Sequence, residues 1–161
     1  MHAFRAALLF CIFSLQLDAA VDLVLRNGYV YDGTGRKPVQ ANVSIHQGRI
    51  VAVDQNPVRG RKILDATGLV VAPGFIDVHT HAENIIYHPK AENFLRMGVT
   101  TLVLGNCGSS KLDIGEFFER MNQVGFSPNI SSLIGHGTVR NQVMGKSFRR
   151  PPAAKELEEM Q

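Results

Sequence analysis

The chain has 161 residues, of which 45% are hydrophobic and 19% are charged, as in a folded protein of one or two small domains. This balance excludes a compositionally disordered chain. The formal net charge of +3 is modest, and the basic residues are not interleaved with aromatic side chains that could stack on bases. The composition therefore predicts no nucleic-acid binding.

The first twenty residues are typical of a secretory signal peptide. Arg5 lies in a short basic start, and a mostly apolar stretch follows over residues 6–17. That stretch is too short for a membrane-spanning helix, which needs about 20 residues. We therefore expect residues 1–20 to direct export to the periplasm or the exterior, with no membrane span. The alternative is a cytoplasmic protein with an apolar N-terminal extension.

The two cysteines, Cys11 and Cys107, do not form an obvious disulfide pair. Cleavage of a signal peptide would remove Cys11 and leave Cys107 without a partner in the chain. An odd cysteine in an exported protein calls for another explanation. Metal ligation would supply one.

Residues 21–72 predict a small antiparallel β domain. Short apolar or alternating segments recur there, separated by turns rich in glycine, and no helix intervenes. The predicted strand pairs are 21–25 with 29–31, 43–46 with 49–53, and 63–65 with 69–71. His46 lies beside the second of these turns and is expected to be a surface histidine.

Residues 73–161 predict parallel βα units, because strands alternate with helices at a regular spacing. The predicted strands are 75–78, 99–104 and 129–134, with helices over 89–97, 114–124 and 152–161 and a loop over 135–138. At about 30 residues per unit this region holds two to three units, whereas a closed (β/α)8 barrel takes about 250 residues. We therefore expect an incomplete barrel domain in a truncated chain.

The first of these strands leads into His79 and His81, which are separated by one residue. Side chains alternate faces along a strand that rises about 3.3 Å per residue, so both imidazoles should point the same way. Their Cα atoms would then lie about 6.6 Å apart. Two imidazoles at that spacing can converge on one ion, so the pattern predicts a metal site.

The chain resembles the N-terminal third of the amidohydrolase superfamily over about residues 21–161. Residues 73–77 leading into His79 and His81 resemble its general signature, which leaves dihydroorotase-like, dihydropyrimidinase-like and isoaspartyl-dipeptidase-like activities open. Two further blocks resemble the N-acyl-D-amino-acid deacylases, or D-aminoacylases. These blocks are residues 98–101 with 105–108, and residues 135–140 with 144–145.

The resemblance implies an α/β fold in which a small N-terminal antiparallel β domain, residues 21–72, precedes the first two to three βα units of a metal-dependent (β/α)8 barrel. It also implies one or two zinc ions per site, with His79, His81 and Cys107 as ligands. Cys107 would take the place that a carboxylated lysine occupies in most binuclear members. A thiolate suits that role, because it is a strong zinc ligand.

The activity implied by the resemblance is hydrolysis of an N-acyl-D-amino acid, in which a zinc-activated water attacks the amide carbonyl. The products would be a carboxylate and a free D-amino acid. The family's later metal ligands, its general base and its substrate-binding arginine are expected beyond Gln161. We therefore expect no catalytic residue, and no hydrolase activity, in this chain alone.

Several residues near the expected site have two possible roles. His136 is expected to end the third strand, either as a substrate-pocket residue or in a structural role. Glu83 and Asn84 would either orient an imidazole or lie in a solvated loop. Arg140 would meet an acidic substrate group or form an ordinary ion pair.

Two alternatives for the whole protein remain open. One is another amidohydrolase, acting on a cyclic amide or an isoaspartyl dipeptide. The other is a short, non-catalytic metal-binding protein, although an open partial barrel would expose strand edges that favour aggregation.

Overall fold

The computed structural model describes residues 20–145 and 149–161. The chain divides into two compact units, with the boundary between Pro73 and Gly74. The predicted signal peptide lies outside the described residues, apart from Ala20. Among the described residues, no helix combines the length and apolar character needed to cross a membrane.

The first unit contains a five-stranded sheet. Its strands are β1 (Val21–Val30), β2 (Val39–His46), β3 (Arg49–Asp54), β4 (Gly60–Asp65) and β5 (Val70–Val71). The order is β3-β2-β1-β4, and β5 also pairs with β1. The antiparallel pairing of β2 with β3 through the turn at residues 47–48 is confirmed.

The prediction of a turn at Asn27 is wrong, because β1 runs through this position as a single strand. Its register against β2 shifts between Leu25 and Gly28, which marks a β-bulge. Asn27 has a φ of 61°, and its N–H donates to Oδ1 of Asn42 at 3.0 Å. An Asn-Gly pair therefore serves here to insert an extra residue into a strand, although locally it has the composition of a hairpin turn.

The predicted hairpin of residues 63–65 with 69–71 is also wrong, and the sheet is mixed and not purely antiparallel. Strands β4 and β5 do not pair with each other. Each pairs in parallel with β1, first beside its N-terminal half and then beside its C-terminal end. The turn between them, in which Leu69 N donates to Ala66 O at 2.9 Å, offsets the chain without reversing it.

The second unit contains a parallel sheet with helices after its strands. Strands β6 (Phe75–Asp77), β7 (Val99–Leu104) and β8 (Asn129–Ser132) lie in the order β6-β7-β8. Helix α1 (Glu92–Arg96) precedes β7, and α2 (Ile114–Val124) precedes β8. Helices α3 (His136–Met144) and α4 (Ala154–Glu159) follow β8. The predicted alternation of parallel strands and helices is confirmed.

The core of the second unit forms between β7 and α2. Leu102 and Leu104 are fully buried and pack in one cluster with Phe117 and Met121. The two α2 residues are four positions apart, so they lie on the same helix face. Asp113 caps the helix by accepting a hydrogen bond from Glu116 N at 2.8 Å. This cap and the amphipathic spacing explain why the predicted bounds of α2 are correct.

The predicted bounds of β7 are also correct, but several others in this unit are wrong. The helix predicted over 89–97 is shorter in the structure, where α1 spans only Glu92–Arg96, because Ala91 has a φ of 45° and interrupts the helical path before it. A 3₁₀ turn (Ile85–Tyr87) precedes this helix. Strand β8 ends at Ser132, and α4 is shorter than residues 152–161. Residues 135–138 are predicted as a loop, but α3 begins at His136. Gly135 and Gly137 have low helix propensity, so propensity alone does not predict a helix here.

Candidate metal centre

The two histidines lie just after β6, which ends at Asp77, one residue before its predicted end. Asp77, the last residue of β6, accepts a hydrogen bond from His79 N through Oδ1 at 3.1 Å. Thr80 N donates to Val103 O of β7 at 3.0 Å, so the segment stays attached to the sheet. Thr80 is buried, whereas both histidines are exposed, and their ring centroids are 5.4 Å apart. The side chains of His79 and His81 therefore point to one side and that of Thr80 to the other, as expected, although these residues follow the end of the strand.

Cys107 lies in the loop after β7, which curls tightly at the carboxyl end of that strand. Gly105, Cys107 and Gly108 have φ values of 79°, 54° and 86°. The thiol is exposed, and its Sγ lies 2.9 Å from Nε2 of His79. A left-handed conformation is uncommon for cysteine and persists only where the surroundings enforce it, as they often do at functional sites.

The structure brings His79, His81 and Cys107 into one cluster. Their ligand atoms all lie within 4.8 Å of one another. Around a tetrahedral zinc with bonds of about 2.0 to 2.3 Å, ligand atoms are about 3.5 Å apart. Small side-chain rotations would bring the three atoms to that spacing. Two imidazole nitrogens and one thiolate are a donor set that zinc favours, so the residues present fit this metal.

The cluster forms at the carboxyl ends of two neighbouring parallel strands. His79 and His81 follow β6, and Cys107 follows β7, its neighbour in the sheet. Because parallel strands end at the same edge, residues 28 positions apart meet there. In α/β barrels this is the edge that carries the active site.

In the described part of the chain, neither Glu83 nor Asn84 is hydrogen-bonded to an imidazole. Oε1 of Glu83 accepts a hydrogen bond from Gly105 N at 3.2 Å, which links the histidine segment to the cysteine loop. Asn84 accepts from Tyr87 N through its backbone oxygen at 3.1 Å, at the start of the 3₁₀ turn. The expectation of a solvated loop is therefore wrong for Glu83, because its carboxylate is held by the backbone.

His136 is the first residue of α3, and does not end the third strand as expected. It is exposed and is not part of the metal-ligand cluster found among the described residues. Its neighbours Gly135 and Gly137 face the backbone of Gly108, since a Cβ at either would lie 2.4 Å or 2.8 Å from Gly108 O. His136 therefore lies next to the loop that carries Cys107.

Arg140 is engaged within the protein. Its Nη2 donates to Arg150 O at 2.6 Å. The guanidinium of Arg150 in turn donates twice to the Glu156 carboxylate. Those bonds first, and then the hydrogen bond from Ala153 N, lower the pKa of Glu156 to about 2. This network joins α3 to α4, and the bond of Arg140 within it goes to a backbone oxygen and not to an acidic group.

His46 belongs to the first unit and is partly exposed, as expected. Its Nδ1 lies 3.2 Å from Oδ2 of Asp22. A hydrogen bond from Gln47 N is the main cause that lowers the pKa of Asp22, with smaller contributions from His46 and Arg61. These contacts hold the β2–β3 turn against β1.

A parallel α/β sheet with two histidines and a cysteine clustered at the carboxyl ends of its strands defines an α/β protein with a candidate metal centre. Residues 62–160 match the model of the amidohydrolase family, and the chain belongs to that family. The predicted fold class, a small β domain followed by βα units of a (β/α)8 barrel, is thereby confirmed.

Among curated relatives, the chain is 32% identical over 169 residues to an N-acyl-D-glutamate deacylase of Alcaligenes xylosoxydans xylosoxydans, covering 90% of this chain and 34% of that protein. It is 32% identical over 156 residues to an N-acyl-D-aspartate deacylase of the same organism, covering 81% and 31%. The predicted resemblance to the D-amino-acid deacylases is confirmed by these similarities.

Among solved structures, the chain is similar to an N-acyl-D-glutamate deacylase of Bordetella bronchiseptica, with a TM-score of 0.82 and 28% identity. The match covers 88% of this chain and 35% of that one. That enzyme was crystallised with zinc and a phosphonate inhibitor that mimics the tetrahedral intermediate of its reaction. The chain spans about a third of the length of all three relatives.

Proposed function

We propose that the full-length protein is a zinc-dependent amidohydrolase that hydrolyses the linear amide of an N-acyl-D-amino acid and releases the D-amino acid. The observation that carries the proposal is the position of Cys107 beside His79 at the carboxyl edge of the parallel strands. Cys107 belongs to one of the two sequence blocks by which the chain resembles the deacylase branch. Similarity to enzymes named for N-acyl-D-glutamate and N-acyl-D-aspartate supports the substrate class.

In this proposal His79, His81 and Cys107 hold the zinc. When bound, the metal would polarise the amide carbonyl and lower the pKa of a coordinated water to about 7. The chain contributes the orientation of the ligands. Asp77 holds the backbone of His79, and Thr80 fastens the segment between the two imidazoles to β7. Both histidines then face solvent at the edge where a substrate can approach.

We also propose His136 as a substrate-pocket residue. Its support is its exposure and its position next to the loop that carries Cys107. His136→Ala should raise KM for the substrate and leave the zinc content at the parent's level. A variant with parental KM would contradict this role.

The experiment that tests the main proposal combines metal analysis with a substrate comparison. Zinc per chain is measured in the full-length protein, in Cys107→Ala, and in Ser109→Ala as an exposed control in the same loop. Amino acid release is measured from N-acetyl-D-glutamate, N-acetyl-D-aspartate and their L-enantiomers. We expect zinc in the parent and the control, less zinc in Cys107→Ala, and release from the D-substrates.

Two results would contradict the proposal. Unchanged zinc in Cys107→Ala would remove Cys107 as a ligand and with it the deacylase assignment. Opening of a cyclic amide, with no release from N-acyl-D-amino acids, would move the protein to another amidohydrolase activity.

We further propose export, supported by Arg5 and the apolar stretch over residues 6–17. N-terminal sequencing of the protein from the cell exterior or periplasm should give a start near residue 20. Mature protein that begins at Met1 would contradict it.

A further inference from the structure

We propose that Glu83 and Thr138 are positioning residues for Cys107, because their side chains anchor the two ends of the loop that presents its thiol. The inference rests on the metal site proposed above. Cys107 lies in a different loop from the two histidines, so separate contacts must hold it in place.

The first anchor precedes Cys107. Glu83 follows His81 by two residues, and Gly105 precedes Cys107 by two residues. Oε1 of Glu83 accepts a hydrogen bond from Gly105 N at 3.2 Å. Glu83 is half-buried and Gly105 is buried, so water does not readily replace this bond. A carboxylate makes a stronger bond to an amide than a neutral acceptor does. The bond therefore fixes the distance between the histidine segment and the cysteine loop.

The second anchor follows Cys107. Oγ1 of Thr138 accepts from Ser110 N at 2.9 Å and donates to Ser110 O at 3.2 Å, so one hydroxyl satisfies both backbone groups of Ser110. Thr138 N also donates to Gly108 O at 2.9 Å. The Ser110 hydroxyl in turn accepts a hydrogen bond from Gly135 N at 2.9 Å. Four hydrogen bonds thus join the end of the cysteine loop to the start of α3.

Both anchors are needed because Cys107 is held in a conformation that it would not adopt alone. Its φ of 54° lies in the left-handed region, which cysteine rarely occupies. Such a conformation persists only where the surrounding structure over-determines it. If either anchor is lost, the loop can relax toward an ordinary conformation, and the thiol moves away from His79.

The test uses the full-length protein and matched pairs of variants. Thr138→Val keeps the shape of the side chain and removes the hydroxyl, whereas Thr138→Ser keeps the hydroxyl. Glu83→Ala removes the acceptor, whereas Glu83→Gln keeps an acceptor oxygen without the charge. Asp113→Ala is the control for a general loss of stability, because it removes the cap of α2, whose hydrogen bond comes from Glu116 N and not from residues 105–110.

Two readouts are measured on each variant. The first is Zn²⁺ affinity by competition with a chelator. The second is the thiolate-to-metal absorption band of the Co²⁺-substituted protein, which reports the bond to Cys107. We expect Thr138→Val and Glu83→Ala each to weaken Zn²⁺ binding about 10-fold to 100-fold and to diminish the band. Thr138→Ser and Glu83→Gln should retain most of the parent's affinity, and Asp113→Ala should keep both readouts.

The outcomes separate this inference from the proposed function. If Cys107→Ala loses zinc while Thr138→Val and Glu83→Ala keep parental affinity and band, the positioning role is wrong and the metal site stands. If the parent binds no metal, both are wrong. Lower melting temperatures with parental affinity would also overturn the positioning role. If one variant fails to fold, the other matched pair decides.

Discussion

Replacing Gly105 with alanine tests how closely the cysteine loop must approach its neighbour. Gly105 has a φ of 79°, and a Cβ built on it would lie 2.0 Å from the backbone oxygen of Leu133. Ordinary contact begins near 3.4 Å, so the two backbones would have to separate by more than 1 Å. Leu133 N donates to Leu104 O at 3.0 Å, so that movement also strains a hydrogen bond at the end of β7.

The expected magnitude has two parts. A left-handed conformation costs an alanine about 1 to 2 kcal/mol, and a forced overlap in a packed region costs about 1 to 3 kcal/mol more. Gly105→Ala should therefore lower the free energy of unfolding by about 2 to 5 kcal/mol. Gly48→Ala is the matched control, because Gly48 has a φ of 72° with nothing within 4 Å of the added Cβ. Gly48→Ala should lower the free energy of unfolding only by the cost of the left-handed conformation, about 1 to 2 kcal/mol.

The assay is urea unfolding of the full-length protein and its two variants, with zinc per chain measured on the folded samples. Cys107 is two residues beyond Gly105, so displacement of the loop should also reduce bound zinc in Gly105→Ala and not in Gly48→Ala. If Gly105→Ala costs no more stability than Gly48→Ala and keeps its zinc, the contact with Leu133 does not support the site.

Three further predictions concern the second unit. Asp113→Ala should cost about 1 kcal/mol in urea unfolding, because the first turn of α2 loses the acceptor for Glu116 N, and Asp113→Asn should restore most of the loss. Leu102→Ala, at a fully buried position of β7, should cost about 2 to 5 kcal/mol in the same assay, and a loss below 1 kcal/mol would contradict the assigned core. The pKa of Glu156 is lowered to about 2, chiefly by hydrogen bonds from Arg150. The stability that this pair contributes should therefore be present above the ordinary carboxyl pKa of 4.5. It should be lost as the pH falls toward 2. Stability curves of the parent and Glu156→Gln should therefore converge in acid, and a constant difference across that range would contradict the assignment.

Local patterns in the sequence predicted those elements whose determinants are local. Helix α2 has both an N-terminal cap and a two-residue apolar face, Phe117 and Met121, within its own length. Strand β7 is rich in β-branched residues and ends in the apolar residues Leu102 to Leu104, and its predicted bounds match the structure. Predictions were wrong where local composition permits two structures, as at the Asn27 bulge and at the start of α3.

The sequence by itself determined the alternation of strands and helices in the second unit as far as β8, the placement of His79 and His81 on the same side, and the family to which the motifs belong. Only the tertiary structure decided that Cys107 lies 2.9 Å from His79, that Glu83 binds Gly105, and that β4 and β5 pair in parallel with β1. The physical reason is the range of the interactions. A cap or an amphipathic face is formed by residues a few positions apart, whereas these contacts depend on which strand edges and loops meet after the chain has folded.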